Sequence, residues 1–196
     1  MSVVRDLILQ ADDQLRYPTG GELRSIVEFL SNGPSRLNVV RVLTDSEKKL
    51  YARQMEVYAG FVTHTDAQIG RLLSFLSEQG LDENTIVTLM SDNGASSEGG
   101  TIGTLNEAAS WLGDHATVEE ALEQIDEIGG PKHTNHYPWG WAWAGNSPFH
   151  LWKRYSWLGG VRAPLIVRWP KSITDSGSVR NQFTHAVDLA PTLLGA

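Results

Sequence analysis

The stretch from Thr44 to Gly94 constrains the chain most. Thr44-Asp45-Ser46-Glu47 has the spacing of a capping box, with Leu43 just ahead of it. Leu50, Tyr51, Met55, Tyr58, Val62, Ile69, Leu72, Leu73 and Leu76 then recur mostly at intervals of three and four, and Gly80 ends the run. This pattern predicts a long amphipathic helix, kinked near Gly60. Asp82-Glu83-Asn84 is turn chemistry, and Thr85 to Met90 is a short run rich in β-branched residues, hence a strand. Helix, short turn and apolar strand form an α/β unit. A near-continuous apolar strand predicts a mostly parallel sheet with helices on both faces.

The rest of the chain extends this grammar. Thr117-Val118-Glu119-Glu120 is a second capping box, opening a helix to about Ile128 that Gly129-Gly130 closes. Pro164 to Trp169 reads as another strand, and Val187 to Leu194 as a helix with Pro191 in its first turn. Between them, residues 131–160 carry five of the seven tryptophans: Trp139, Trp141, Trp143, Trp152 and Trp157. Residues 1–43 are a separate lead. Two helical stretches, Val3 to Leu15 and Glu22 to Leu30, are broken by Gly20-Gly21 and Asn32-Gly33-Pro34. The organisation expected is therefore an unassigned lead over 1–43 and one α/β segment over 44–196.

Composition excludes several classes. No cysteine is present, which removes disulfides, thiolate metal sites and cysteine nucleophiles. The net charge of −7, with no basic patch, argues against nucleic acid as a partner. No apolar run reaches the length of a membrane span, and the first residues lack a basic region followed by an apolar segment. No membrane partner is expected, and a cytoplasmic location follows by default.

Three groups of residues could carry chemistry. Asp92 and Asn93 follow the first strand directly, where ligands sit in open α/β sheets. They offer a carboxylate and a carbonyl oxygen, hard donors suited to calcium or magnesium, and Gly94 allows a close turn around a bound ion. Asp-Asn-Gly is equally the chemistry of a plain turn, and both readings stand on spacing alone. Lys153, among aromatics and ahead of the second strand, is a point charge for sulfate or phosphate, or a snorkelling surface lysine; Arg154 has the same two readings. His133 and His136 are candidates for substrate contact or proton transfer, or else polar loop residues. His64 and Asp66, inside the long helix, read as surface or interface residues.

Taken in order, several stretches resemble the sulfatase family of the alkaline phosphatase superfamily, and most closely its large bacterial arylsulfatases. They are Tyr51 to Gly60, Asp66 to Gly70, Ser91 to Gly94, Asn135 to Trp141, Ala144 to Phe149, Gly159-Gly160 with Pro164 to Pro170, and Asp188 to Leu193. The resemblance implies part of an alkaline-phosphatase-like, mostly parallel sheet flanked by helices, with the N-terminal part missing. It implies hydrolysis of a small-molecule sulfate ester, with Asp92 and Asn93 as calcium ligands and Lys153 on the sulfate. His136 becomes a substrate-binding candidate, and the tryptophan-rich segment would shape a pocket for an aromatic alcohol part.

The departures are equally specific. The family nucleophile, a formylglycine, is made within Cys/Ser-x-Pro/Ala-x-Arg. The near match here is Asn32-Gly33-Pro34-Ser35-Arg36, and asparagine cannot be converted. Asp12-Asp13 lack the pattern around the family's early aspartate pair, and Trp157-Leu158-Gly159-Gly160 lacks the acid that often precedes the two glycines. The expectation is a middle and C-terminal segment that is inactive alone and binds calcium weakly or not at all. The alternatives are an interaction remnant associating through exposed sheet edges, as with a separate N-terminal half, and a related phosphodiesterase or phosphonate hydrolase.

Overall fold

The computed structural model describes residues 43–196. The readings made on Val3 to Leu15, Glu22 to Leu30, Asp12-Asp13 and Asn32 to Arg36 lie outside them. Helix α1 spans Asp45–Glu78. Its capping box forms as the sequence predicts: the Thr44 hydroxyl accepts from the Glu47 amide at 3.2 Å, and the Glu47 carboxylate accepts from the Thr44 amide at 2.8 Å. The helix passes through Gly60 without a break in its assignment, so the expected kink does not interrupt it.

A one-turn 3-10 segment at Asp82–Asn84 leads into strand β1, Val87–Met90. The helical segments that follow are α2 (Glu107–Trp111), α3 (Val118–Glu123), α4 (Trp139–Asn146) and α5 (Leu158–Val161). Strand β2 (Leu165–Arg168) and helix α6 (Leu189–Leu194) complete the described chain. α3 is shorter than the sequence pattern predicts: it ends at Glu123, and Ile125–Glu127 is a 3-10 turn.

β1 and β2 pair antiparallel, from Val87 opposite Arg168 to Met90 opposite Leu165. The parallel sheet expected from the sequence is not seen among the described residues, where these two strands form the sheet. Both also alternate half-buried with exposed positions rather than being covered on both faces. An apolar run identifies a strand, but neither how fully it is covered nor which way its neighbour runs. The pair is braced at one end, where Arg168 donates to the Asp82 carbonyl at 3.1 Å and the Lys171 amide to the Glu83 carbonyl at 2.9 Å.

Two clusters of buried side chains hold the rest. Leu50, Tyr51, Leu105, Ala121 and Ile128 join the first half of α1 to the segment around α3. Arg53 pins the same contact by donating to the carbonyls of Ile125 and Ile128. Tyr137, Ala142 and Trp152 form the second cluster, with Trp139, Trp141 and Trp143 packed against it. The tryptophans are thus largely core, as their area favours. The indole N–H of Trp141 donates to the Tyr51 carbonyl at 2.9 Å and ties the two clusters together.

Candidate functional site

The segment after β1, residues 91–100, is the hub of the site. The Ser91 hydroxyl donates to the Asn93 carbonyl at 2.8 Å and tightens the turn that carries Asp92 and Asn93. The backbone then runs against the Lys153 loop. The Gly94 amide donates to the Gly160 carbonyl at 3.0 Å, and the Lys153 amide to the Ala95 carbonyl at 3.1 Å. Glycine is required by this approach: a Cβ on Gly94 would lie 1.6 Å from the Gly159 carbonyl oxygen. On Gly160 it would lie 2.0 Å from that of Tyr155.

Asn146, at the end of α4, locks the junction. Its side-chain oxygen accepts from the Ala95 amide at 3.0 Å. Its nitrogen donates to the carbonyls of Leu151 and Gly159, both at 2.8 Å. Support for the Gly-Gly loop therefore comes from an amide upstream, although Leu158 stands where an acid often precedes the glycines. The Asp92-Asn93 turn and Lys153, sixty residues apart in sequence, are brought into one backbone network.

Lys153 meets a partner that the sequence reading did not single out. Its ammonium donates to Glu98 Oε1 at 2.8 Å, and Arg154 lies 3.8 Å from the same oxygen. The Glu98 side chain is only 5% exposed. The Ser96 hydroxyl donates to its other oxygen. Burial opposes the charge, but the Lys153 and Ser96 hydrogen bonds and the residue's own amide outweigh it, holding the carboxyl down at about 2. A depressed folded-state value means that this ion pair contributes stability above the ordinary glutamate range. That contribution is lost as the pH falls from the ordinary range through about 2. A carboxylate flanked by small polar residues and glycines was the available signal in Ser96-Ser97-Glu98-Gly99-Gly100.

His136 lies on the other flank of the same segment. A Cβ on Gly99 would stand 3.0 Å from the His136 Cβ, and the Trp139 indole donates to the Ser97 carbonyl at 2.8 Å. The imidazole Nε2 is 3.3 Å from Glu107 at the start of α2, so its ring is engaged there. Its backbone forms an antiparallel bridge with Thr104. His133 is placed otherwise: its Nε2 is buried without a hydrogen-bond partner. Burial also pushes the Tyr137 hydroxyl up to about 12, with the charge on Glu98 and Tyr58 adding to the rise.

The donors available to a metal fit calcium in kind and fall short in number. Asp92 and Asn93 supply hard oxygens, but among the described residues no group of three or more His, Asp or Glu is gathered to hold an ion. Calcium takes about six to eight oxygens. Also among the described residues, no helix is long and apolar enough to cross a membrane.

Comparison with known proteins gives two kinds of relative. A sulfatase family model matches residues 10–196. An uncharacterised sulfatase of Schizosaccharomyces pombe is 35% identical over 152 residues, 78% of this chain and 26% of its own length. An arylsulfatase of Klebsiella aerogenes is 30% identical over 156 residues, 77% of this chain and 31% of its own. The chain thus spans between a quarter and a third of the length of these relatives. Separately, the allophycocyanin alpha-B chain of a Synechococcus strain is 54% identical over 50 residues, 26% of this chain and 31% of its own. The family model covers nearly the whole chain, and the motif-bearing stretches fall inside it in order: the chain belongs to the sulfatase family.

Proposed function

We propose that the chain carries part of the centre at which a sulfatase hydrolyses a small-molecule sulfate ester. In this reading Asp92 and Asn93 are oxygen ligands to calcium, Lys153 donates to the sulfuryl oxygens, and His136 is a further substrate contact. The observation that carries it is the clasp between the two loops, through the Gly94–Gly160 and Lys153–Ala95 hydrogen bonds and the Asn146 amide. That clasp brings the Lys153 backbone beside the Asp92-Asn93 turn, which supports an anion-binding role for its ammonium next to oxygen donors. Preplaced charge of this kind stabilises charge developing on transferred oxygens. A bound calcium would supply further charge stabilisation of the same sort. Trp157, four residues from Lys153 and 57% exposed, offers an apolar face for an aryl group.

The same reading makes the chain inactive by itself. No cysteine or serine of the sequence stands at the head of a Cys/Ser-x-Pro/Ala-x-Arg motif, and two oxygen donors hold calcium weakly. The test is a turnover assay of the purified chain with 4-nitrophenyl sulfate and calcium, alongside a calorimetric calcium titration. Release of nitrophenolate no faster than in an Asp92→Asn control is expected, with no tight calcium binding. Turnover abolished by Asp92→Asn would overturn the inactivity. Tight calcium binding that survives Asp92→Asn would overturn the assignment of the ligand.

We further infer that the chain is composite, with the allophycocyanin likeness falling on the lead, residues 1–43 and a little beyond. The sulfatase stretches begin only at Tyr51, and the sulfatase relatives align over 152 and 156 residues rather than the full 196. The family model's match begins at residue 10, inside the lead, but no sulfatase motif lies there. Amplification across codons 30–60 from the source DNA decides it. A single product of the expected length supports a composite gene; failure, with each side amplifying alone, overturns it.

A further inference from the structure

We propose that Glu98 is the positioning residue for Lys153, the side chain that aims the sulfate-binding ammonium; the proposal rests on the reading of Lys153 above. Glu98 does not itself contact the ester. Its carboxylate is nearly sealed from solvent, while the Lys153 side chain it holds is 42% exposed. The ion pair is therefore anchored at its acidic end and presented at its basic end. An ammonium has three hydrogens, and Glu98 takes one, so the others remain for an anion arriving from the exposed side.

The anchoring is needed because lysine carries its charge on a flexible four-carbon stem. Backbone contacts fix where the stem begins: the Lys153 amide is held by Ala95, and the Leu151 carbonyl by Asn146. They do not fix where the ammonium ends, and the 2.8 Å contact to Glu98 does. Glu98 is itself held by Ser96. Two non-glycine residues with positive φ, Leu151 at 60° and Arg154 at 86°, bracket Lys153. Such backbone is sparsely populated and is kept only where surrounding contacts impose it. Here the loop is bent so that both cations face one carboxylate, with Arg154 the looser of the two at 3.8 Å.

The test is a mutant cycle on the full chain with inorganic sulfate as the probe, binding being read from backbone amide shifts. Lys153→Met is measured in the natural background and again with Glu98→Gln. Removing the Glu98 charge tightens sulfate binding by simple electrostatics, but it does so with lysine or methionine at 153, so the cycle cancels it. Positioning predicts that Lys153→Met weakens sulfate about fivefold or more when Glu98 is present and less than about twofold when it is glutamine. An equal or larger loss in the Glu98→Gln background overturns the proposal while leaving Lys153 as a sulfate ligand. No loss in either background overturns the reading of Lys153, and positioning with it. Should Glu98→Gln not fold, Glu98→Asp serves: it keeps the charge but sets it one methylene back, and positioning predicts an intermediate loss. A full-sized loss there overturns the proposal.

Discussion

Asn146 sits where three pieces of backbone converge, and its amide answers each of them. One oxygen takes the Ala95 N–H, and one nitrogen serves the Leu151 and Gly159 carbonyls. Asn146→Asp keeps the shape and the acceptor but loses both donors, leaving a carboxylate facing two carbonyls. The expected cost is about 2 kcal/mol or more at neutral pH, since part-buried carbonyls lose their partners. Protonating the new carboxyl restores one donor, so the variant should recover part of that loss in acid. Thermal melts at pH 7 and pH 4, each against the natural chain, check this. A deficit equal at both pH values would mean that the donors are not what matters. Asn146 and Glu98 also mark the limit of reading single residues. Asp92, Asn93 and Lys153 are candidates by type and by their place relative to strands. The Asn146 contact to Ala95 and the Glu98 contact to Lys153 each join residues more than fifty apart, which local pattern does not encode.

Among elements, those legible in the sequence are those whose signals are local. Both capping boxes form, at Thr44 with Glu47 and at Thr117 with Glu120, because the reciprocal bonds span three residues. The strands fall within their predicted runs, β1 at Val87–Met90 and β2 at Leu165–Arg168. α4 was not predicted. Its sequence, WGWAWAGN, alternates bulky and small residues and carries two glycines, which depress helix propensity. It forms because Ala142 is fully buried and the indoles of Trp139 and Trp141 find carbonyl acceptors on other elements. Strand direction was likewise illegible, for β1 and β2 are joined through more than seventy intervening residues. A crossover of that length can return its strand either way.

The described residues show several large apolar side chains at their surface. From the middle of α1 onward, Phe61 is 67% exposed, and Leu72 and Phe75 are more than half exposed. Met90, Leu165 and Val167 are exposed on the sheet, and α6 ends on an exposed Leu194. Among the described residues, the two-stranded ladder also has no further strand along its outer edges. Surfaces of this kind draw partners or copies of themselves. We therefore predict that the purified chain associates, with a weight-average mass in sedimentation equilibrium that rises with concentration above the 21.6 kDa of one chain. Replacing Phe61 and Phe75 by serine should lower the association without weakening the Tyr51–Leu105–Ile128 cluster, which meets α1 nearer its start. If the double variant associates as strongly as the natural chain, the helix face is not the contact and the sheet edge is left as its source. A natural chain that stays monomeric and melts in one cooperative step would defeat the prediction outright. These exposed faces would then be tolerated by a fold that closes without the remainder of a sulfatase.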